Sequence, residues 1–192
     1  MLRKTYDWTI SLAQSRHAYW ALFVVAFIES SVFPIPPDVL IIPMVIARPT
    51  RAWRVATVAL LGSVLGGMLG YAIGALLFQQ VGEPILHFYG KMQAAEEFAA
   101  RFNHYGAWAV LVAGVTPFPY KVITIVSGWT HLNIWVFMAA SIVARGARFF
   151  VVAALLRIFG APVRDFTERR LGLVFSLAVL LLIGGFAAVR YL

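Results

Sequence analysis

The sequence predicts an all-α integral membrane protein in which an inverted repeat contributes two re-entrant, proline-broken hairpins beside long transmembrane helices and amphipathic interfacial helices. Three observations predict it. The 192 residues are 61% hydrophobic and only 12% charged, outside the range of soluble domains. The charge-free runs Val55 to Phe78 and Leu171 to Val189 reach the roughly 20 residues a helix needs to cross a hydrocarbon core of about 30 Å. A proline motif occurs twice, FPIPPDVLII from Phe33 and TPFPYKVITI from Thr116, aligned without a gap 83 residues apart, and such self-similarity organises everything else.

The elements follow in chain order. In residues 1–17 Leu2, Tyr6, Ile10 and Ala13 fall on one helical face and Arg3, Lys4, Asp7 and Gln14 elsewhere, which suits an interfacial helix. No A-x-A cleavage site follows, so a removable signal peptide is not expected. Residues 18–78 form the first half-repeat. Within it, 18–47 carries Pro34, Pro36, Pro37 and Pro43 together with Glu29 and Asp38. Each interior proline costs a helix about 3 kcal/mol, so the segment reads as a hairpin with Pro34 and Pro36 at its tip. After Trp53 comes the first long span, where Gly62, Gly66, Gly70 and Gly74 make a small-x-x-x-small stripe for close helix packing.

Residues 79–106 are an amphipathic connector, with Ile85, Phe88, Tyr89, Met92, Ala95, Ala99 and Phe102 at helical spacing and Glu97 and Arg101 placed as an i,i+4 pair. It would rest on the membrane surface or on the bundle. Residues 107–160 are the second half-repeat: WAVLVAG from Trp108 matches WALFVVA from Trp20, Trp135 matches Trp53, and Pro117 and Pro119 mark the second tip. Residues 171–189 are a C-terminal transmembrane helix. Broken backbone at membrane depth must be surrounded by protein or line a cavity.

Loop charges favour re-entry at both hairpins. With re-entry one side collects ten Lys and Arg, in 1–17, 48–54 and 157–170, and the other three. Full crossings give nine against four. Both counts put the N-terminus in the cytoplasm, and with a single span between them the two halves start from opposite sides.

The net charge of +8 invites a nucleic-acid partner, yet the bases are dispersed and form no dense basic face or motif, so none is expected. With no cysteine, disulfides, thiolate metal sites and cysteine nucleophiles are excluded. His17, His87, His104 and His131 are scattered, and H-E-x-x-H, G-x-S-x-G and phosphate-loop patterns are absent. The expectation is therefore a protein that is not an enzyme, without catalytic residues, cofactor or metal.

Five ionisable residues fall at membrane depth: Glu29, Asp38, Lys121, Arg145 and Arg148. A charge at the bilayer centre costs roughly 2.5 to 3.5 kcal/mol on insertion scales, so such residues face a cavity or one another. Asp38 and Lys121 occupy equivalent positions in the repeat and could pair across the midplane. Arg145 and Arg148 share one helical face and could present two guanidiniums to a phosphate. The plainer alternative is a set of buried ion pairs that hold the halves together.

The ESSVFPIPPD stretch from Glu29, the glycine-spaced helix after it, GVTPFPYKVITIVSG ending at Gly128 and ARGARFF around Arg145 and Arg148 together resemble the DedA family, also called the SNARE-associated or VTT-domain family, and its YqaA-like branch. The resemblance spans about Trp20 to Phe159. It implies facing re-entrant hairpins and the flipping or scrambling of phospholipids or polyprenyl-phosphate lipids, with proton coupling in bacteria and residence in the inner membrane. It also implies an acidic pair, here Glu29 and Asp38, for proton coupling or gating, and Lys121, Arg145 and Arg148 for binding an anionic phosphate headgroup. One position departs from the family: Ala113 and Gly114 stand where an arginine precedes the second proline motif. The alternatives are a proton- or cation-coupled transporter of a small soluble solute and a purely structural role.

Overall fold

A computed structural model describes residues 17–32, 36–116 and 119–169. The expected N-terminal interfacial helix, the 171–189 span and the tip residues Pro34 and Pro117 lie outside the described residues. Every described element is helical.

The first hairpin is α1, Ala18–Ser31, and α2, Asp38–Ala47. At 1.5 Å per residue these are about 21 and 15 Å long, each short of a bilayer crossing. Pro37 sits just ahead of α2, where a fixed φ and a missing N–H do no harm. Asp38 then meets the positive end of the helix dipole. Pro43 lies inside α2 and deletes one of its ladder hydrogen bonds.

A single 3₁₀ turn, Pro49–Arg51, leads into α3, Ala52–Leu77. The connector comprises a π-turn, Phe78–Gly82, then α4, Glu83–Phe88, and α5, Met92–His104. It is broken where Gly90 takes φ +62°, a backbone state that glycine adopts without strain. The second hairpin is α6, Gly106–Val115, and α7, Tyr120–Trp129. Asn133 then starts α8, Ile134–Arg169, its Oδ1 accepting from the backbone N–H of Trp135 at 2.9 Å and Val136 at 3.4 Å, the geometry of an N-cap. The basic stretch from Arg157 to Arg169 continues this helix.

α3 is the central element and packs against α1, α2, α7 and α8. Its glycine stripe serves two partners. A Cβ at Gly62 or Gly66 would collide with the carbonyls of Phe23 and Phe27 in α1, and one at Gly70 or Gly74 with Thr124 and the Ile125 carbonyl in α7. These contacts advance in step along both chains, so α1 and α7 each run parallel to α3. α8 runs antiparallel to it, as Trp53 stacks on Phe150 and the Tyr71 ring meets Phe137 at a tilt. In the same way Gly114 meets Ala144, and α6 runs parallel to α8.

The two ends of each hairpin therefore lie together. Gly106 abuts Leu132, and Asn103 Nδ2 donates to the Thr130 carbonyl at 2.6 Å. Ala18, Val45 and Ala52 share one buried cluster. The connector docks on the second hairpin: Phe98 stacks on Trp129 with centroids 5.4 Å apart, and Phe102 packs with Val110, Tyr120 and Leu132. The expected Glu97–Arg101 pair does not form; the Glu97 carboxylate accepts from Gln93 at 3.4 Å.

α3 and α8 are long and apolar enough to cross a membrane, yet only 39% of the most apolar window of each is buried. Leu61, Leu65, Leu69 and Leu76 point outward from α3. A soluble core helix of that apolarity would be covered, so these faces belong to lipid and the chain is a membrane protein.

The close approaches give a contrast between glycines. Gly66→Val or Gly74→Val should prevent the bundle from closing and leave little folded protein in detergent. Gly146→Ala, whose added Cβ would come no nearer than 3.8 Å to Leu60, should keep or raise the melting temperature, since alanine is favoured by roughly 0.5–1 kcal/mol in a helix interior.

Candidate functional site

The polar centre of the molecule is built on Arg145 of α8, whose side chain is fully buried. Its Nη2 donates to Glu29 Oε2 on α1 at 2.5 Å, and its Nε donates to Ser63 Oγ on α3 at 2.6 Å. Ser63 and Ser30 share a 2.7 Å hydrogen bond, and Ser30 Oγ donates to the same Glu29 oxygen at 3.0 Å. The rings of Tyr120 and Phe149 each stand 4.7 Å from the guanidinium carbon, offering π faces to a cation shut off from water. Nη1 is buried without a hydrogen-bond partner. Tyr120 in turn donates its hydroxyl to Ser141 of α8 at 2.5 Å.

One helical turn further on, Arg148 Nη2 donates to Asp38 Oδ2 of α2 at 2.8 Å. Both side chains here are 25% exposed, against 1% for Arg145 and 15% for Glu29. That difference separates their roles. Breaking a fully buried pair strands a charge in apolar surroundings, at about 3–5 kcal/mol. A pair that is a quarter exposed strands less charge when it opens, and its worth falls toward the about 1 kcal/mol of an exposed pair.

A third contact joins the hairpins directly. α1 ends at Ser31 beside a tip that cannot continue the helix, so its last carbonyls lack intrahelical partners. The start of α7 supplies them. Lys121 Nζ donates to the Val32 carbonyl at 3.2 Å, and the Thr124 hydroxyl, 2.8 Å from the Lys121 carbonyl of its own helix, also lies 3.2 Å from the Ser30 carbonyl. A lysine at a helix C-terminus also meets the negative end of its dipole.

The five residues expected at membrane depth therefore converge, the two acids pairing with the two arginines as in the ion-pair alternative and not Asp38 with Lys121. Asp38 takes Arg148 and leaves Lys121 to a backbone carbonyl. The reason is geometric: Asp38 opens α2, which lies against α8, whereas Lys121 opens α7, which lies against α3 and the end of α1. Arg145 was expected to hold phosphate, yet it is enclosed by Glu29, Ser63 and two rings. Pro36 and Pro119 flank the two tips immediately ahead of Pro37–α2 and α7.

Ser30, Ser63, Tyr120, Thr124 and Phe149 complete the site and were not anticipated. One signal pointed to Ser63. Aligning Trp53 with Trp135 places Ser63, a polar residue among glycines, opposite Arg145 in the repeat, and the two touch. Among the described residues no three His, Asp or Glu side chains gather as a metal site requires. Of the two positions where the family resemblance implies an arginine, Gly114 has no room for one, since a Cβ there would press on Ala144.

A family model described as the VTT domain matches residues 35–158. An uncharacterized protein of Haemophilus influenzae is 39% identical over 150 residues, covering 78% of each chain. An uncharacterized protein of Histophilus somni is 38% identical over 167 residues, covering 85% of this chain and 87% of its own. No solved structure matches.

Double-mutant cycles in detergent should separate the two ion pairs. The Glu29→Ala and Arg145→Ala cycle is expected to return a coupling of about 3 kcal/mol or more. The Asp38→Ala and Arg148→Ala cycle should return about 1 kcal/mol. Equal couplings would mean that exposure does not distinguish the pairs.

Proposed function

Since the chain belongs to the VTT-domain (DedA) family, whose membership points to a membrane transporter-like role, we propose that it moves lipids with anionic phosphate headgroups, phospholipids or polyprenyl phosphates, between leaflets. The observation that carries the reading is the Asp38–Arg148 pair. It is a quarter-exposed arginine inside an apolar bundle, held by a carboxylate that a phosphate can replace with equal or better bidentate geometry.

The bilayer arrangement belongs to the same proposal. Two hairpins that are too short to cross, each with its ends together, are re-entrant. α3 and α8, antiparallel and each parallel to its own inward helix, make the halves an inverted repeat. Exposed Trp20 and Trp53, near the starts of α1 and α3, and exposed Tyr105, Trp108 and Trp135, near the starts of α6 and α8, would lie in the two aromatic belts. The arginine-rich end, with the N-terminus, faces the cytoplasm across the inner membrane.

The two return helices are held differently, which favours movement of one of them. α7 is pressed on α3 through Gly74 and Gly128, where backbones touch, and through Gly70, which receives the Thr124 side chain. At the equivalent α2–α8 interface stand Val45, Val152 and Leu156, and α2 is further weakened by Pro43. We infer that α2 swings away from α8 and α7 stays. Protonation of Asp38, or a phosphate bound in its place, would release α2 and give Arg148 to the headgroup. Arg145 and Glu29 would hold the halves throughout, so Arg145 becomes a strut while Lys121 secures the first tip.

Proteoliposomes with labelled lipids test the reading. The intact chain should translocate an anionic phospholipid. Arg148→Gln should slow it about tenfold or more, the value of one charge-assisted hydrogen bond, with little change in melting temperature. No headgroup movement across several anionic lipids would defeat the proposal, and ion flux without lipid movement would favour a soluble-solute transporter.

A further inference from the structure

A second cationic feature lies away from the central pairs. Arg48 and Arg51 bracket the turn between α2 and α3, Arg54 stands in the first turn of α3, and the turn packs against α8. From α8, Arg157 reaches back so that its guanidinium carbon lies 5.6 Å from the centre of the Trp53 ring. Trp53 is itself stacked on Phe150 at 5.9 Å and 19°. All four arginines are exposed. Among the residues whose side chains are described, the salt bridges use only Arg145 and Arg148, so none of these four guanidiniums pairs with a carboxylate there.

Arg157 follows Arg148 by nine residues, two and a half helical turns, and so projects from the opposite face of α8. This cluster is not the mouth of the central site. Toward the membrane interior from it the surface is apolar, with Leu61 of α3 53% exposed and Val151 and Leu155 of α8 57% and 52% exposed. Guanidiniums at the end of a span, an indole at the boundary and bare aliphatic side chains below it match the parts of one molecule: phosphate, glycerol and acyl chain. A nucleic acid or an acidic protein would leave the apolar half uncovered.

We propose that Arg48, Arg51, Arg54, Arg157 and Trp53 form a docking site for an anionic phospholipid of the surrounding leaflet, separate from any lipid in transit. The site goes beyond a charge bias that orients the chain, because it joins bases 103 residues apart, Arg54 and Arg157, around one tryptophan. It rests on the membrane placement proposed above and not on lipid movement, so a chain that flips nothing would leave it standing.

The test uses the full chain in neutral mixed micelles, with brominated phosphatidylglycerol or brominated phosphatidylcholine as quencher and Trp53→Phe to isolate the Trp53 signal. Trp53 should be quenched at a lower mole fraction of phosphatidylglycerol than of phosphatidylcholine. One mole of NaCl per litre should erase that preference. Each arginine at an anionic surface is expected to contribute about fivefold, so R54Q/R157Q should weaken phosphatidylglycerol binding by about 25-fold, while R54K/R157K retains most of it. Equal quenching by the two lipids, or an unchanged preference in R54Q/R157Q, would overturn the site. Loss of the preference on adding inorganic phosphate at the same phosphate concentration would also overturn it, making the ligand a free anion.

Discussion

The structure depends on a buried guanidinium. Arg145 touches parts of both hairpins and the central helix: Glu29 on α1, Ser63 on α3 and the ring of Tyr120 on α7. An arginine cannot discharge itself by losing a proton, so burial obliges the fold to supply a carboxylate, a hydroxyl and two aromatic faces at fixed distances. Those obligations place the hairpins. Glu29 must come within reach as α1 ends, Ser63 must lie where α3 crosses α8, and Tyr120 must start α7 just past the second tip.

Glycine makes that convergence sterically possible. One stripe on α3 admits α1 through Gly62 and Gly66, then α7 through Gly70 and Gly74, so a single helix face docks one arm of each hairpin. The stripe leaves the arrangement unequal. α7 is locked backbone to backbone, while α2 is held by larger side chains and by an ion pair that is a quarter exposed. In a bilayer that inequality supports a bundle with a fixed centre and one movable arm.

Much of this was legible in the sequence because it is written in residue types with narrow physical meaning. Prolines at Pro36, Pro37 and Pro119 had to interrupt helices, apolar length had to make α3 and α8, and charges at Glu29, Asp38, Lys121, Arg145 and Arg148 had to gather where lipid was excluded. What could not be read was which acid meets which base. Arginine and lysine side chains are long, and equivalence in the repeat suggested Asp38 with Lys121. The pairing was decided by which return helix lies on which long helix, and the distribution of glycines sets that. Ser30, Thr124 and Phe149 left no pattern at all, because a serine, a threonine or a phenylalanine in an apolar helix is ordinary until its neighbour is known.

The central claim is that each hairpin leaves the membrane on the side where it went in. Single cysteines introduced into the naturally cysteine-free chain and labelled from one face of sealed vesicles test it. The account predicts that cysteines at His17 and Thr50 react from one face and cysteines at Tyr105 and His131 from the other. Finding His17 and Thr50, or Tyr105 and His131, on different faces would contradict it.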